Sequence, residues 1–359
     1  MKQAFAVIMA GGIGSRFWPM STAANPKQFH DVLGSGETLL QQTYRRVSRV
    51  CPVDNILIVT SLQYVDLVTE QLPELPIQNI LAEPSRRNTA PCLAYATAKI
   101  QNRMPDALML VTPSDSIVTK EDEYERVVRK ALLAANEGEK LITLGIRPHR
   151  PDTGYGYIQF TDHHLDGHPE IHQVKTFTEK PDLETAKAFL ASGDFLWNAG
   201  IFIWSVSSII KAMDSFMPEL TEAFFVNTSA YDTVKEIQFI DEIYASCASE
   251  SIDYGIMEKA KNVYVLPSDF GWSDLGTWGS LYEHSILDEN DNAVLANKTL
   301  LYNSSNNMIR IGKNKVAVVE GLNGYIVVNE DNRLLICKKD NEQLIKNFVN
   351  DLRIQLNEE

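Results

Sequence analysis

The reading of this chain turns on Ile8-Met9-Ala10-Gly11-Gly12-Ile13-Gly14-Ser15-Arg16-Phe17-Trp18-Pro19, followed six residues later by Pro26-Lys27-Gln28-Phe29. Phe5 to Ala10 is an unbroken apolar run of strand length, as expected of a strand buried on both faces of a parallel sheet. Gly11, Gly12 and Gly14 then interrupt it. Without a Cβ in the way, backbone N–H groups around Gly11 to Ser15 can turn toward an anion, and such concave rows of donors bind phosphate. Arg16 and Lys27 add cationic donors. Two commoner glycine motifs fail here. A dinucleotide fingerprint starting at Gly12 needs glycine or alanine where Phe17 stands, and a Walker A loop needs Gly-Lys-Ser/Thr at its end. Pro19 and Pro26 argue against a long helix directly after the glycines and predict an extended loop. Taken alone, Gly-Gly-x-Gly-x-Arg also fits an ordinary tight turn.

Working outward, 359 residues exceed one ordinary domain, and a large core with a smaller appendage is expected. A composition of 44% hydrophobic and 22% charged residues is that of a soluble globular protein. No signal pattern precedes the first strand, so a cytoplasmic location is expected. The longest uncharged run, Phe195 to Ile210, has 16 residues and falls short of a membrane span. Cys51, Cys92, Cys247 and Cys337 lie far apart and suggest neither a zinc site nor a disulfide framework. The net charge of −14 argues against nucleic acid or an anionic membrane as partner. Residues 1–50 nevertheless hold six Lys or Arg against two acids, around the glycine loop.

From Thr38 onward helix and strand alternate, the pattern of a layered α/β sheet. Thr38 to Gln41 fits a capping box opening a helix to about Val50. Ile56 to Thr60 and Ile77 to Leu81 read as strands. The loop Glu83-Pro84-Ser85-Arg86-Arg87-Asn88-Thr89-Ala90-Pro91 leads into a helix that Asn88 or Thr89 can cap, which by itself accounts for the segment. Ala107 to Thr112 is another buried strand with Pro113-Ser114-Asp115 at its carboxyl end, where ligands bind in open α/β sheets. An Asp in that position is also an ordinary turn residue.

Beyond a helix from about Glu121 to Asn136 and a strand from Leu141 to Gly145, the alternation loosens. Asp152-Thr153-Gly154-Tyr155-Gly156-Tyr157-Ile158 reads as a turn entering a strand. Asp166-Gly167 reads as a hairpin tip, so His163, His164, His168 and His172 need no metal to explain them. Glu179 and Lys180 end the next strand, where alternation places neighbours on opposite faces and argues against an ion pair between them. Asp182 starts a helix, Asn198 leads into an apolar strand, and 207–247 is mainly helical. After Ile286, apolar runs near Leu300, Ile309, Val318, Ile326 and Leu335 recur between Asn- and Gly-rich corners, predicting a small β domain. Coiled rungs and a plain meander both fit. Asp340 is expected to cap a last amphipathic helix that packs on this domain or on a second copy in a homodimer.

The glycine loop together with Pro26-Lys27-Gln28 resembles the signature of the nucleotide-sugar pyrophosphorylases, which join a nucleoside triphosphate to a sugar 1-phosphate. Matches in the family's order run from residue 8 to residue 278. Glu83-Pro84 with Asn88-Thr89-Ala90-Pro91 resembles the segment with which guanine-specific members read the base, where uridylyl and thymidylyl relatives carry a glycine-containing version. Gly271-Trp272-Ser273-Asp274-Leu275-Gly276-Thr277-Trp278 is a further match. The resemblance implies that Gly11, Gly12, Gly14, Ser15 and Ser114 line the nucleotide, and that Asp115 and Asp274 hold Mg²⁺. It implies that Gly154, Tyr155 and Gly156 close on the sugar, Glu179 and Asn198 bind its hydroxyls, and Lys180 its phosphate. The segment Ser251 to Glu258 is similar to one near the ligands, without an assigned role.

The implied reaction is GTP plus mannose 1-phosphate giving GDP-mannose and pyrophosphate, with Arg16 and Lys27 as catalytic cations. The implied fold is a layered, mostly parallel sheet of the nucleotide-diphospho-sugar transferase type over residues 1–285, with a short left-handed β-helix over 286–359. Some members add an isomerase domain for which this chain has no room, so one activity is expected. A uridylyl- or thymidylyltransferase, or a silent nucleotide-sugar-sensing subunit, are the alternatives. The first should lack Asn88 to Pro91, and the second should have lost a phosphate or metal residue.

Overall fold

A computed structural model describes residues 2–12 and 14–356. The chain forms two compact units, one of Met1–Gly11, Thr43–Ser114 and Val118–Trp272, the other of Gly12–Gln42, Asp115–Ile117 and Ser273–Glu359.

The first unit is built on a nine-stranded sheet. Its strands are β1 (Ala4–Met9), β2 (Ile56–Ser61), β3 (Ile80–Glu83), β4 (Leu108–Pro113), β5 (Leu141–Ile146), β6 (Gly156–Leu165), β7 (His168–Glu179), β8 (Phe195–Ser205) and β9 (Val263–Ser268). They run in the order β3-β2-β1-β4-β8-β5-β9-β7-β6. The first four are mutually parallel; β8 is antiparallel to β4 and β5, and β7 to β9 and β6. The parallel half is the part read most directly from apolar runs. In β1, Ala6, Val7 and Ile8 are fully buried, and burial of a Val or Ile side chain is worth about 1.5–3 kcal/mol. Helices cover the sheet. Thr89–Arg103 buries Ala90, Leu93, Ala94 and Ile100 in the same core as Val7, Val59 and Val111.

Local chemistry explains the element boundaries. Thr38 N–H donates to Gln41 Oε1 at 2.9 Å and Gln41 N–H to Thr38 Oγ1 at 3.2 Å, the reciprocal capping box before the helix Leu39–Ser48. Leu165 faces His168 across the two-residue turn Asp166-Gly167, with Gly167 at φ 77°. The strand expected from Ile77 starts later, because a 3-10 turn, Ile77–Asn79, follows Pro76 and delays β3 to Ile80.

The second unit gathers the glycine-loop segment with the C-terminal β structure around one core, including Phe17, Trp18, Leu39, Leu275, Trp278, Met308, Ile326 and Ile345. The loop is not extended throughout. It contains two 3-10 turns, Ser15–Phe17 and Lys27–Phe29, the second set by Pro26 at φ −66°. The C-terminal strands wind as parallel coils. Ala293–Leu295, Met308–Ile311 and Tyr325–Glu330 stack in one sheet, and Thr299–Tyr302 pairs with Ala317–Glu320 in another. Only Arg333–Lys338 returns antiparallel, so coiled rungs replace the meander. Buried asparagines stitch the corners. Asn307 Nδ2 donates to Asn292 Oδ1 at 3.0 Å, and Asn307 Oδ1 accepts from Tyr325 N–H at 2.8 Å. Asp340 is not a helix cap: it lies inside a 3-10 segment, Lys339–Leu344, that runs straight into the helix Ile345–Leu356. That helix buries Ile345 and Val349 on the unit's own core, while Leu344 and Phe348 stay exposed.

No helix among the described residues is long and apolar enough to cross a membrane. All four cysteines are free thiols.

Candidate active site

In the second unit the phosphate-type residues converge on Lys27. Its side chain is 4% exposed, and its ammonium donates to the carbonyls of Asp274 at 2.7 Å and Leu275 at 3.1 Å and pairs with Asp115 Oδ2 at 2.9 Å. It also stands 5.7 Å from the centre of the Phe17 ring. Gly14, at φ 64°, lets the loop close on this lysine, since a Cβ there would lie 2.6 Å from Lys27 Cβ. Gln28 Nε2 donates to Gly12 O at 3.0 Å and fixes the loop's other side. Asp274 Oδ1 accepts from Gly276 N–H at 3.0 Å, and Leu275 is held at φ 45°. Asp115 keeps 39% of its side chain exposed. Arg16 Nε is buried with no hydrogen-bond partner, an orphaned donor in the glycine loop.

In the first unit, Glu83 closes β3 and is buried, with Oε1 accepting from Tyr244 Oη at 2.9 Å. Burial pushes its carboxyl up to about 7, against the pull of the Tyr244 hydroxyl and Arg86. Pro84 follows it, and Gly11 lies alongside, where a Cβ would be 3.5 Å from Glu83 Oε2. Asn88 caps the next helix through Oδ1, which accepts from Thr89 N–H, at φ 68° and ψ −168°, a region that is nearly glycine-only. Thr89 Oγ1 accepts from Ile252 N–H at 2.9 Å, and Ala90 N–H donates to Glu250 O at 3.0 Å. These bonds moor the segment to the stretch before residue 253. Ser114 is buried, its N–H on Met9 O at 3.0 Å.

The same unit brings together the residues read as sugar-binding. Gly156 pairs with Glu179 across β6 and β7, and a Cβ at Gly156 would sit 2.3 Å from Glu179 Oε2. Gly154 N–H donates to Asp152 Oδ1 at 2.8 Å, and Tyr155 packs edge-on against Trp197 and Trp272. Asn198 has both ends of its amide engaged. Its Oδ1 accepts from Thr143 Oγ1 at 3.0 Å and Gly200 N–H at 3.1 Å, and its Nδ2 donates to Asp253 Oδ1 at 3.0 Å. Glu179 and Lys180 do form an ion pair, contrary to the alternation argument. At Lys180 the backbone leaves the strand with φ 48°, which swings its side chain to the same side as its neighbour.

Two residues went unseen in the sequence. Asp253 opens a π-helical stretch, Asp253–Met257, a local form that recurs at functional sites. Burial, with the nearby Glu179 carboxylate, pushes it up to about 7, so Asp253 readily holds a proton next to Asn198. Tyr244 is the other, reaching Glu83 from 161 residues away. Resemblance had marked the Asp253 stretch without a role, and nothing local marked Tyr244. Of the hairpin histidines, His164 and His172 pack ring to ring with centroids 4.4 Å apart, while His168 faces Glu137 at 3.2 Å.

Residues 5–291 match the nucleotidyl transferase family, and residues 298–352 match the MannoseP isomerase/GMP-like beta-helix domain. A mannose-1-phosphate guanylyltransferase of Klebsiella pneumoniae is 37% identical over 350 residues, which are 97% of this chain and 73% of that protein. One from Escherichia coli is 35% identical over 357 residues, again 97% of this chain and 73% of the relative. A solved structure from Thermus thermophilus, described as a mannose-1-phosphate geranyltransferase, superposes with a TM-score of 0.87 at 28% identity, covering 98% of this chain and 99% of that one. With such identity to enzymes over nearly its whole length, the chain belongs to the nucleotidyl transferase family, among the mannose-1-phosphate guanylyltransferases.

Proposed function

We propose that this enzyme transfers GMP from GTP to α-D-mannose 1-phosphate, giving GDP-mannose and pyrophosphate. The observation that carries the reading is Lys27, whose buried ammonium binds both Asp115 and the carbonyl of Asp274, the latter 247 residues from the lysine in the chain. A phosphate oxygen of mannose 1-phosphate attacks the α-phosphorus in line; the new P–O bond forms as the bond to the bridging oxygen breaks and pyrophosphate leaves. No side-chain nucleophile is needed. Arg16 and Lys27 offset charge that builds on the phosphates. Gly11, Gly12, Gly14, Ser15 and Ser114 line the nucleotide, and Glu83, Pro84, Asn88, Thr89 and Ala90 form the base-reading segment. Gly154, Tyr155, Gly156, Glu179, Lys180 and Asn198 form the sugar-reading set, to which the geometry adds Asp253. Soluble substrates and a net charge of −14 fit a cytoplasmic reaction without nucleic acid or membrane.

Asp115 and Asp274 are the residues that would hold Mg²⁺. The fit is reasonable for that ion and poor for an all-protein cage: no group of three or more His, Cys, Asp or Glu is poised to hold a metal among the described residues. Mg²⁺ takes one or two carboxylates and fills its shell with water and substrate phosphate. When bound, it neutralises charge on the phosphate oxygens.

The test is pyrophosphate release over a matrix of GTP, UTP, ATP and dTTP against several hexose 1-phosphates. GTP with mannose 1-phosphate is expected to exceed UTP by at least about 10²-fold in kcat/KM, because a pocket built to pair the guanine edge leaves polar groups unpaired with uracil. UTP serving within a few-fold of GTP would overturn the assignment. Glu83 adds a pH signature. With its carboxyl raised to about 7, the acceptor form that can meet guanine's N1–H and N2–H₂ donors is scarce at pH 6 and abundant at pH 8. The KM for GTP should therefore fall across that interval in the wild type and stay flat in Glu83→Gln.

For the sugar, Gly156→Ala is expected to raise the KM for mannose 1-phosphate about tenfold without changing GTP affinity, since its methyl must displace the Glu179 carboxylate. Calorimetry with each substrate separates the two; an equal loss for GTP would place Glu179 elsewhere in the mechanism.

A further inference from the structure

The helix Ile345–Leu356 packs against the turn Ser15–Phe17, and Phe17, Ile345 and Val349 share one buried core. Lys346 follows the buried Ile345 on the helix packed against this turn, near enough to Arg16 for the two charges to interact. The guanidinium is the strongest influence on the lysine and, with partial burial, holds its ammonium below the usual lysine range. Two cations drawn together by the packing of their neighbours repel each other, and neither has a carboxylate partner among the described residues. The repulsion is relieved when an anion enters between them.

The surrounding donors narrow what that anion is. The ammonium of Lys27 already has three acceptors, one for each N–H. Arg16 Nε, by contrast, is buried and unpartnered, and Lys346 is exposed. Among the described residues, Arg16 and Lys346 are thus two cations of the second unit that can still take up an anion. A pair of cations of this kind suits a ligand with several anionic oxygens more than a single carboxylate.

We propose that Lys346, on the C-terminal helix, is a third cation of the phosphate site and, with Arg16, binds the β- and γ-phosphates of the nucleotide that depart as pyrophosphate. The proposal rests on the guanylyltransferase reading above and adds to it a residue beyond the matched signature segments. It also gives the C-terminal helix a part in substrate binding as well as in packing.

The experiment runs the reaction in reverse, forming GTP from GDP-mannose and inorganic pyrophosphate. Lys346→Gln is expected to raise the KM for pyrophosphate about tenfold, the loss of one partly screened charge-assisted contact, with the KM for GDP-mannose unchanged. Lys346→Arg, which keeps the charge, should restore most of the affinity. Calorimetric titration with inorganic pyrophosphate and Mg²⁺ should give the same ranking without turnover, and matching thermal midpoints confirm that the variants fold. Wild-type pyrophosphate affinity in Lys346→Gln overturns the role of Lys346 alone. Equal weakening toward GDP-mannose overturns its assignment to the leaving group. A wild-type protein that forms no GTP overturns the guanylyltransferase reading, and this inference with it.

Discussion

Lys27→Ala is expected to lower kcat by about 10²- to 10³-fold while the KM for GTP changes little, as loss of a preorganised positive charge beside the transition state does. The lysine is unusual in being 4% exposed and held by three acceptors at once. A charge fixed in this way loses little to reorganisation when negative charge develops on a phosphate, and that gain is absent from the ground state. The variant should fold, because Asp115 is 39% exposed and water can replace its lost partner. Steady-state pyrophosphate release provides the measurement. A rise in KM alone would make Lys27 a binding residue. Recovery of kcat at high Mg²⁺ would give a third outcome, in which the lysine acts by holding the Asp274 and Leu275 carbonyls and so steadies the Asp274 carboxylate.

Asp115→Ala and Asp274→Ala should each cost on the order of 10³-fold or more, because a cation that stabilises phosphate charge is worth several kcal/mol and each 1.4 kcal/mol is tenfold in rate. The two positions are set differently. Asp115 reaches Lys27 with its side chain, whereas Asp274 offers Lys27 a backbone carbonyl and keeps its carboxylate on Gly276 N–H. Asp274→Asn therefore preserves the local turn and isolates the lost charge. Unchanged wild-type turnover in excess chelator would refute a metal requirement altogether. Turnover that disappears with chelator but survives in Asp274→Asn would move the metal to other ligands.

What could be read from the chain alone follows from how local each signal is. The apolar run of β1, the Thr38 and Gln41 capping box and the Asp166-Gly167 hairpin are decided by residues within a few positions of each other, and the structure contains all three. The Glu179–Lys180 pair was misjudged because alternation assumes extended backbone, and Lys180 departs from it at φ 48°. Asp340 was misjudged because an acidic residue before an amphipathic stripe signals a cap only if the chain is not already turning, and here it is. Tyr244 and Asp253 could not be weighed at all from local pattern. Their importance lies in partners 161 and 55 residues away, and a contact over that range leaves no periodicity to detect.

The asparagine ladder of the C-terminal coils bears on how such a chain can change length. Asn292 and Asn307 bond across fifteen residues, and Asn307 and Tyr325 across eighteen. Each amide spans one whole turn of the winding, so its donor and acceptor meet only if a full circuit separates them. One residue gained or lost inside a circuit would shift every following side chain to the other face of its strand and pull the amides out of register. Adding or deleting an entire circuit would leave each neighbour relation as it was, and the antiparallel strand Arg333–Lys338 would still close the last parallel edge. Length variation among relatives of this region should therefore come in whole circuits or at the exposed corners.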